Sequence, residues 1–144
     1  MRKTYKVGAG VLPLASSTGR VLLGLRAPPC SEPYTWACFG GSRDPEDSSL
    51  EETALRELAE ETGYAGPIEL TSRLRLVRGS TKAFVFVGLV PEEFEPALNW
   101  EHETALWLYP TGLDVPKLHW TVRGLFENAV RAKLPIARRR GPRR

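Results

Sequence analysis

From Arg56 to Gly63 the chain reads Arg-Glu-Leu-Ala-Glu-Glu-Thr-Gly, with carboxylates at Glu57, Glu60 and Glu61. On a helix each residue advances by about 100°, so Glu61 lies about 40° round from Glu57 and Glu60 about 60° the other way. All three can project toward one small volume. Such a cluster repels itself at neutral pH unless something positive sits in it. An all-oxygen donor set of this kind suits a hard divalent cation.

The elements that must position these groups are legible around them. Ser49 with Glu52, or Ser48 with Glu51, fits a capping box that opens the helix. Gly63 supplies its stop. Leu50, Ala54 and Leu58 recur at i, i+4 and i+8, with Leu55 beside them, and form a face for packing on a sheet. Upstream, Thr4 to Ala15 alternates Tyr5, Val7, Ala9 and Val11 with Lys6, Gly8 and Gly10. This predicts a strand whose glycines mark close backbone approach or a bulge. Ser16–Gly19 is a turn, and Arg20–Arg26 is a second strand completing a hairpin. Pro28, Pro29 and Pro33 make Ala27–Pro33 a stiff loop. Tyr34–Phe39 is a short strand that runs into Gly40-Gly41.

Downstream, Ile68–Val77 and Ala83–Val90 are predicted strands joined by a loop over Arg78–Lys82. The nearly all-apolar Ala83–Val90 is expected to be a central strand, buried on both faces. Pro91–Asn99 is a loop, Ala105–Tyr109 a last strand and Leu118–Leu134 a second helix. Strands, a helix, more strands and a final helix predict an α/β (α+β) fold with a mixed sheet.

Gly41 to Tyr64 resembles the Nudix box. That signature runs Gly, five residues, Glu, seven residues, then Arg-Glu-U-x-Glu-Glu-x-Gly-U, with U bulky and apolar. Arg56, Glu57, Leu58, Glu60, Glu61, Gly63 and Tyr64 match every position of its second half. The first half departs: five residues after Gly41 stands Asp47 in place of Glu, and eight residues separate Asp47 from Arg56. This reads as a one-residue insertion, with Asp47 (or Glu46) standing in for the first Glu. Leu22-Leu23-x-x-Arg26 and Trp36-x-x-x-Gly40-Gly41 are similar to the family's approach to the box, although Phe39 stands where a proline commonly precedes the Gly pair. Glu101-His102 followed by Trp107 resembles a downstream element of several members.

The resemblance implies an α/β/α sandwich with the box helix and the C-terminal helix on a mixed sheet. It also implies hydrolysis of a pyrophosphate linkage in a nucleoside diphosphate derivative. Divalent ions, Mg2+ or Mn2+, would neutralise the phosphates, acidify a bound water and hold the phosphoryl group in line. Glu57, Glu60 and Glu61 would be metal ligands, with the carbonyl of Gly41 a further one. Arg56 would brace a helix carboxylate. The base would be a box Glu or a later one, Glu101 in preference to Glu103. Arg26, Tyr34 and Trp36 are candidate substrate-binding residues, with Trp100 and Trp120 as further aromatic surfaces. Trp36 and Trp107 also suit the core. Arg78 and Lys82, in one loop, are placed at the cleft rim. His102 is expected to be an exposed histidine with a structural or inert role, and His119, near the start of the last helix, to have no special role.

Composition bounds the rest. At 144 residues, 42% hydrophobic and 26% charged, the chain suits one soluble globular domain. The domain is placed at 1–136 with an Arg-rich tail at 137–144. No apolar run reaches the roughly 18 residues of a membrane span, and the N-terminus has no secretory pattern. Cys30 and Cys38 are expected as free thiols in the cytoplasm. Five arginines fall within Arg138–Arg144, and removing them turns the formal net charge of +3 into −2. The resemblance implies a small nucleotide as partner; the tail adds an expected weak nucleic-acid contact, and no membrane contact and a monomeric or homodimeric state are expected.

An NTP/dNTP-type pyrophosphohydrolase releasing NMP is the leading reading. The alternatives are an RNA 5′-end pyrophosphohydrolase of the decapping type and a non-catalytic nucleotide-binding Nudix module. RNA docking through the tail predicts a salt-dependent RNA affinity that disappears on deleting Arg138–Arg144. An unchanged affinity in a filter-binding titration eliminates that alternative.

Overall fold

The computed structural model describes residues 4–111 and 117–128. Its elements are β1 (Lys6–Ala15), β2 (Val21–Arg26), β3 (Trp36–Ala37), β4 (Phe39–Ser42), α1 (Leu50–Thr62), β5 (Glu69–Arg78), β6 (Thr81–Val90), β7 (His102–Leu108) and α2 (Trp120–Glu127). The strands form one mixed sheet. Its main path runs β3-β2-β1-β6-β5, with β4 also on β1 and β7 also on β2. β1 and β6 are parallel along their whole length, from Lys6↔Thr81 to Ala15↔Val90. The other pairings are antiparallel.

The N-terminal hairpin forms, but β1 and β2 pair only at its closed end, at Leu14↔Val21. Further along, the same edge of β1 pairs with β4, from Gly8↔Ser42 to Val11↔Phe39. The glycines of both strands meet here. A Cβ on Gly40 would lie 2.5 Å from the carbonyl oxygen of Ala9 and from Gly10 Cα. Larger residues would hold the two backbones apart, and the Gly pair that starts the box would be displaced from the sheet.

Two apolar clusters lie on opposite faces of the sheet. One joins Ala9, Val11, Leu22, Phe39 and Phe86 to Ala54 and Leu58 of α1. The other joins Leu12, Leu14, Leu23, Val85 and Val87 to Val122 and Leu125 of α2. The layers are therefore helix, sheet, helix. β6 is central and largely buried, as its apolar run requires.

Several boundaries shift for local reasons. The expected Arg78–Lys82 loop contracts to Gly79-Ser80, with Gly79 at φ +59°, so strand pairing continues through Arg78↔Thr81. The last strand starts at His102, ahead of the predicted Ala105, because Leu25 and Arg26 of β2 continue to pair with it. α2 starts at Trp120: Leu118 makes a bridge to Trp36, and His119 caps the helix by accepting from the Thr121 N–H. Residues 129–134 of the predicted second helix and the Arg138–Arg144 tail lie outside the described residues.

Replacing Gly40 with Ala drives a methyl group into the β1 backbone, which has no side chain to rotate away. A loss of about 1–3 kcal/mol is expected from overpacking of this kind, measured as a lowered urea midpoint with an unchanged slope.

Candidate metal centre and cleft

The carboxylates are presented by a well-terminated helix. Ser49 Oγ accepts from the Glu52 N–H at 3.1 Å. The Glu52 carboxylate reaches back to the Ser48 N–H at 2.8 Å and to the Ser48 hydroxyl. The capping box thus draws on both predicted serines. At the other end Gly63 adopts φ 73°, and its N–H donates to the Ala59 carbonyl at 2.9 Å.

Glu57 and Glu61, one turn apart, face the sheet and are buried. Glu101 joins them from the segment before β7. One oxygen from each of the three lies within 4.8 Å of the others. Main-chain ties bring Glu101 there: the Asn99 N–H donates to the Glu61 carbonyl at 3.4 Å, the Glu101 N–H to Asn99 Oδ1 at 3.0 Å, and the Ala27 N–H to the Glu101 carbonyl at 2.9 Å. β4 closes the other side. A Cβ on Gly41 would stand 2.5 Å from Glu57 Oε1, so a side chain here would push the carboxylate from its place.

Glu61 is 1% exposed, and neither of its oxygens accepts a hydrogen bond from the described residues. Its oxygen neighbours Glu57 and Glu101 are acceptors too, and bond to it only when one of the three carries a proton. Burial foremost, then the charges of Glu101 and Glu57, push its carboxyl up to about 10. Glu57 is also raised, chiefly by burial. The donor set therefore fits a divalent cation: oxygen atoms that converge, two of the three residues buried, with a single guanidinium contact to Glu57 among the described residues.

Arg56 lies at the edge of this group. Its Nε and Nη2 donate to Oδ1 and Oδ2 of Asp47 at 3.1 and 3.0 Å, and its Nη1 donates to Glu57 and Glu60, each at 3.2 Å. Asp47 is buried, with Oδ2 also accepting from Thr53 Oγ1 at 2.8 Å and the Asp44 N–H at 2.9 Å. The Arg56 hydrogen bonds, first among these, hold its carboxyl well below the usual carboxylate range. The shorter acid at this position still reaches the box arginine. Glu60 is exposed and stands outside the three-carboxylate group, held by Arg56.

The group borders a cleft of about 870 Å³, which Gly41, Glu57 and Glu101 line. Of the predicted substrate residues, Arg26 lines the cleft. Tyr34 and Trp36 are not among its lining residues: Tyr34 is exposed, and Trp36 packs against the α2-side core. The aromatic lining comes from Trp100 and Trp120 instead. Arg78 lines the cleft as expected, and Lys6 adds a cation that strand alternation alone did not single out. Glu32, from the proline loop, accepts from Arg78 Nη1 at 2.8 Å and from His119 Nε2 at 2.9 Å, and so joins three elements at the cleft. His102 is a correction: it is 4% exposed, with Nδ1 3.6 Å from Glu61 Oε1, and burial pushes its pKa down to about 4. An extended β7, not an exposed loop, carries it.

The model of the NUDIX domain matches residues 4–128. The chain belongs to the NUDIX family. This is a family of hydrolases that act on nucleoside diphosphate derivatives and generally need a divalent metal. A comparison with curated proteins found no match. Among solved structures the chain is similar to the Nudix hydrolase RenU from M. Smegmatis, with TM-score 0.72, 21% identity, and coverage of 95% of this chain and 91% of that one. It is similar to the MutT protein from Methanosarcina mazei Go1, with TM-score 0.73, 23% identity, and coverage of 92% and 98%. It is also similar to the NUDIX domain of Shewanella oneidensis NrtR complexed with ADP ribose, with TM-score 0.70, 24% identity, and coverage of 90% and 88%. At these identities the likenesses establish the helix–sheet–helix fold of the NUDIX chain. Among the described residues no helix is long and apolar enough to cross a membrane.

Two expectations follow for stability. Glu61 keeps its proton in the folded state well above its ordinary 4.5, while the unfolded chain loses it. In chelator, stability therefore falls as pH rises from about 5 toward 9, by at most about 1.4 kcal/mol per pH unit. Glu61→Gln removes that slope in urea titrations across the range, and a persisting slope would assign it to other groups. Asp47 has the opposite sign. Its contribution is present above the unfolded carboxylate pKa and lost as pH falls through its depressed folded value. Asp47→Asn is expected to lower Tm at pH 7, with the difference from wild type narrowing in acid.

Proposed function

We propose that this NUDIX chain is a metal-dependent pyrophosphohydrolase. It would take a nucleoside diphosphate linked to a group X and release a nucleoside monophosphate and phosphate-X. The favoured substrates are NTPs or dNTPs, with Mg2+ or Mn2+ as the ion. The observation that carries this reading is the convergence of Glu57, Glu61 and Glu101 beside a cleft also lined by Lys6, Arg26 and Arg78. Acids for a cation and bases for phosphates meet in one place. The ADP ribose held by the Shewanella domain supports an occupant of the same chemical class. Free Cys30 and Cys38 suit a reducing compartment such as the cytoplasm.

In this reading Glu57, Glu61 and Glu101 would hold the ion, together with the main-chain carbonyl of Gly41. Bound there, a divalent ion supplies charge neutralisation and an acidified water. Glu101, less buried than the other two and lining the cleft, takes the proton of the attacking water. Glu60, the remaining box carboxylate, joins the ion only by leaving Arg56. Arg56, clamped by Asp47, keeps Glu57 in place. Lys6, Arg26 and Arg78 hold phosphate oxygens, and Trp100 and Trp120 offer flat surfaces for a base.

The test is a panel of nucleotides with Mg2+ and product analysis, run on wild type, Glu57→Gln, Glu60→Gln and Glu61→Gln. Wild type is expected to release NMP and pyrophosphate from an NTP. Glu57→Gln and Glu61→Gln should each lose about 100-fold or more in kcat/KM while remaining folded. Activity surviving Glu60→Gln and Glu61→Gln together would defeat the metal assignment. Binding without turnover across the panel would favour a nucleotide-binding module.

A further inference from the structure

His102, which the reaction above leaves unused, forms a buried pair with Glu61. The His102 side chain is fully buried, and neither ring nitrogen has a hydrogen-bond partner among the described residues. Both oxygens of Glu61 are in the same condition. Buried polar groups are seldom left so, because a lost partner leaves the loss of water contacts uncompensated. Four such atoms in one pair, with Nδ1 of the imidazole 3.6 Å from Oε1 of the carboxylate, indicate two groups arranged for each other.

The backbone is shaped to make this pair. Along β7, Ala105 and Trp107 pack on the α1 side of the sheet, and Leu108 packs on the α2 side. Regular alternation would place His102 with Leu106 and Leu108, away from α1. The pairing with β2 slips at this point: Leu25 pairs with Thr104, but Arg26 pairs with His102. Glu103 is the extra residue of a β-bulge, and the bulge turns His102 to the face that carries Glu61. Bulges re-aim side chains in this way, often beside active sites. The facing strand makes room. A Cβ on Gly24 would lie 2.5 Å from His102 Cδ2, and the Phe39 ring sits with its centroid 5.0 Å from that of the imidazole.

We propose that His102 is a positioning residue for the metal centre, its Nδ1–H donating to Glu61 Oε1 so that the other carboxylate oxygen faces the volume shared with Glu57 and Glu101. The proposal rests on the metal-dependent reading above. An ionised Glu61 bound to a cation is an acceptor only, so the hydrogen must lie on Nδ1. At 3.6 Å the two atoms stand just outside hydrogen-bond range, so a small rotation of either side chain would make the bond. Such a partner fixes the orientation of a ligand without touching substrate.

Mn2+ titration followed by electron paramagnetic resonance tests this on the full chain, without turnover. His102→Phe fills the ring's space and removes the donor. Mn2+ affinity should fall about 10- to 100-fold, with kcat falling alongside it. His102→Asn places an amide N–H near the position of Nδ1 and should restore affinity to within a few-fold of wild type. Equal affinity in His102→Phe and wild type would overturn the proposal. So would a His102→Asn as weak as a folded His102→Phe, which would mean that only packing matters. Nitrogen-15 NMR of histidine-labelled wild type with Mg2+ gives an answer that needs no variant to fold: the Nδ1–H tautomer is expected, and the Nε2–H tautomer refutes it. Wild type that fails to bind Mn2+ would overturn the metal reading itself, and His102 with it. That failure is visible before any variant is made.

Discussion

Burying Glu61 against Glu57 and Glu101 is the constraint to which the rest of the site answers. A lone carboxylate taken out of water is destabilising by several kcal/mol unless it is paired or neutralised. Here two more are placed within 4.8 Å of it. The metal-free protein responds by holding a proton on Glu61, and a divalent cation would relieve the same repulsion without one. The fold must therefore supply rigidity enough to keep like charges together. It does so with capped helix ends, main-chain ties from Thr62 and Glu61 to the loop that carries Glu101, and strand β4 pressed against Glu57.

Arg56 divides the local charge into two zones. Its guanidinium answers Asp47, Glu60 and one oxygen of Glu57, and among the described residues no lysine or arginine pairs with Glu61 or Glu101. Had the arginine reached the centre, the carboxylates would be satisfied within the protein and would have less affinity for an ion. Asp47 secures this arrangement by holding Arg56 through two parallel hydrogen bonds, a geometry that fixes direction as well as energy. The box loop is one residue longer than the family pattern, and its acid one methylene shorter, yet the clamp forms.

Much of the box was legible because its determinants are local. Ser49, Glu52 and Gly63 set the ends of α1 through bonds to neighbouring backbone, and helical geometry alone puts Glu57 and Glu61 on one side. The glycines of β1 signalled close backbone approach or a bulge, and the β1–β4 pairing shows the close approach. Aromatic residues were less readable. Tyr34 and Trp36 flank the proline loop as Trp100 flanks Glu101, and nothing in their spacing says which of them meets the cleft. Trp36 is drawn into the α2-side core by its pairing with β2 and its bridge to Leu118. His102 was misplaced because a bulge is a property of two strands, and one strand's pattern does not reveal it.

The amino-acid sequence by itself determined the chemistry on offer: a helix bearing oxygen ligands at one-turn spacing, a glycine pair before it, and a mixed sheet to carry both. Those features depend on interactions between residues near in the chain. Tertiary structure alone decided which acids meet. Glu101 comes from a segment 40 residues beyond Glu61, and Glu60, its neighbour in sequence, turns outward to Arg56. It also decided which face of β7 His102 occupies. The reason is physical: burial and charge proximity are set by the packing of α1, β2, β4 and β7 together, and no single element contains that information.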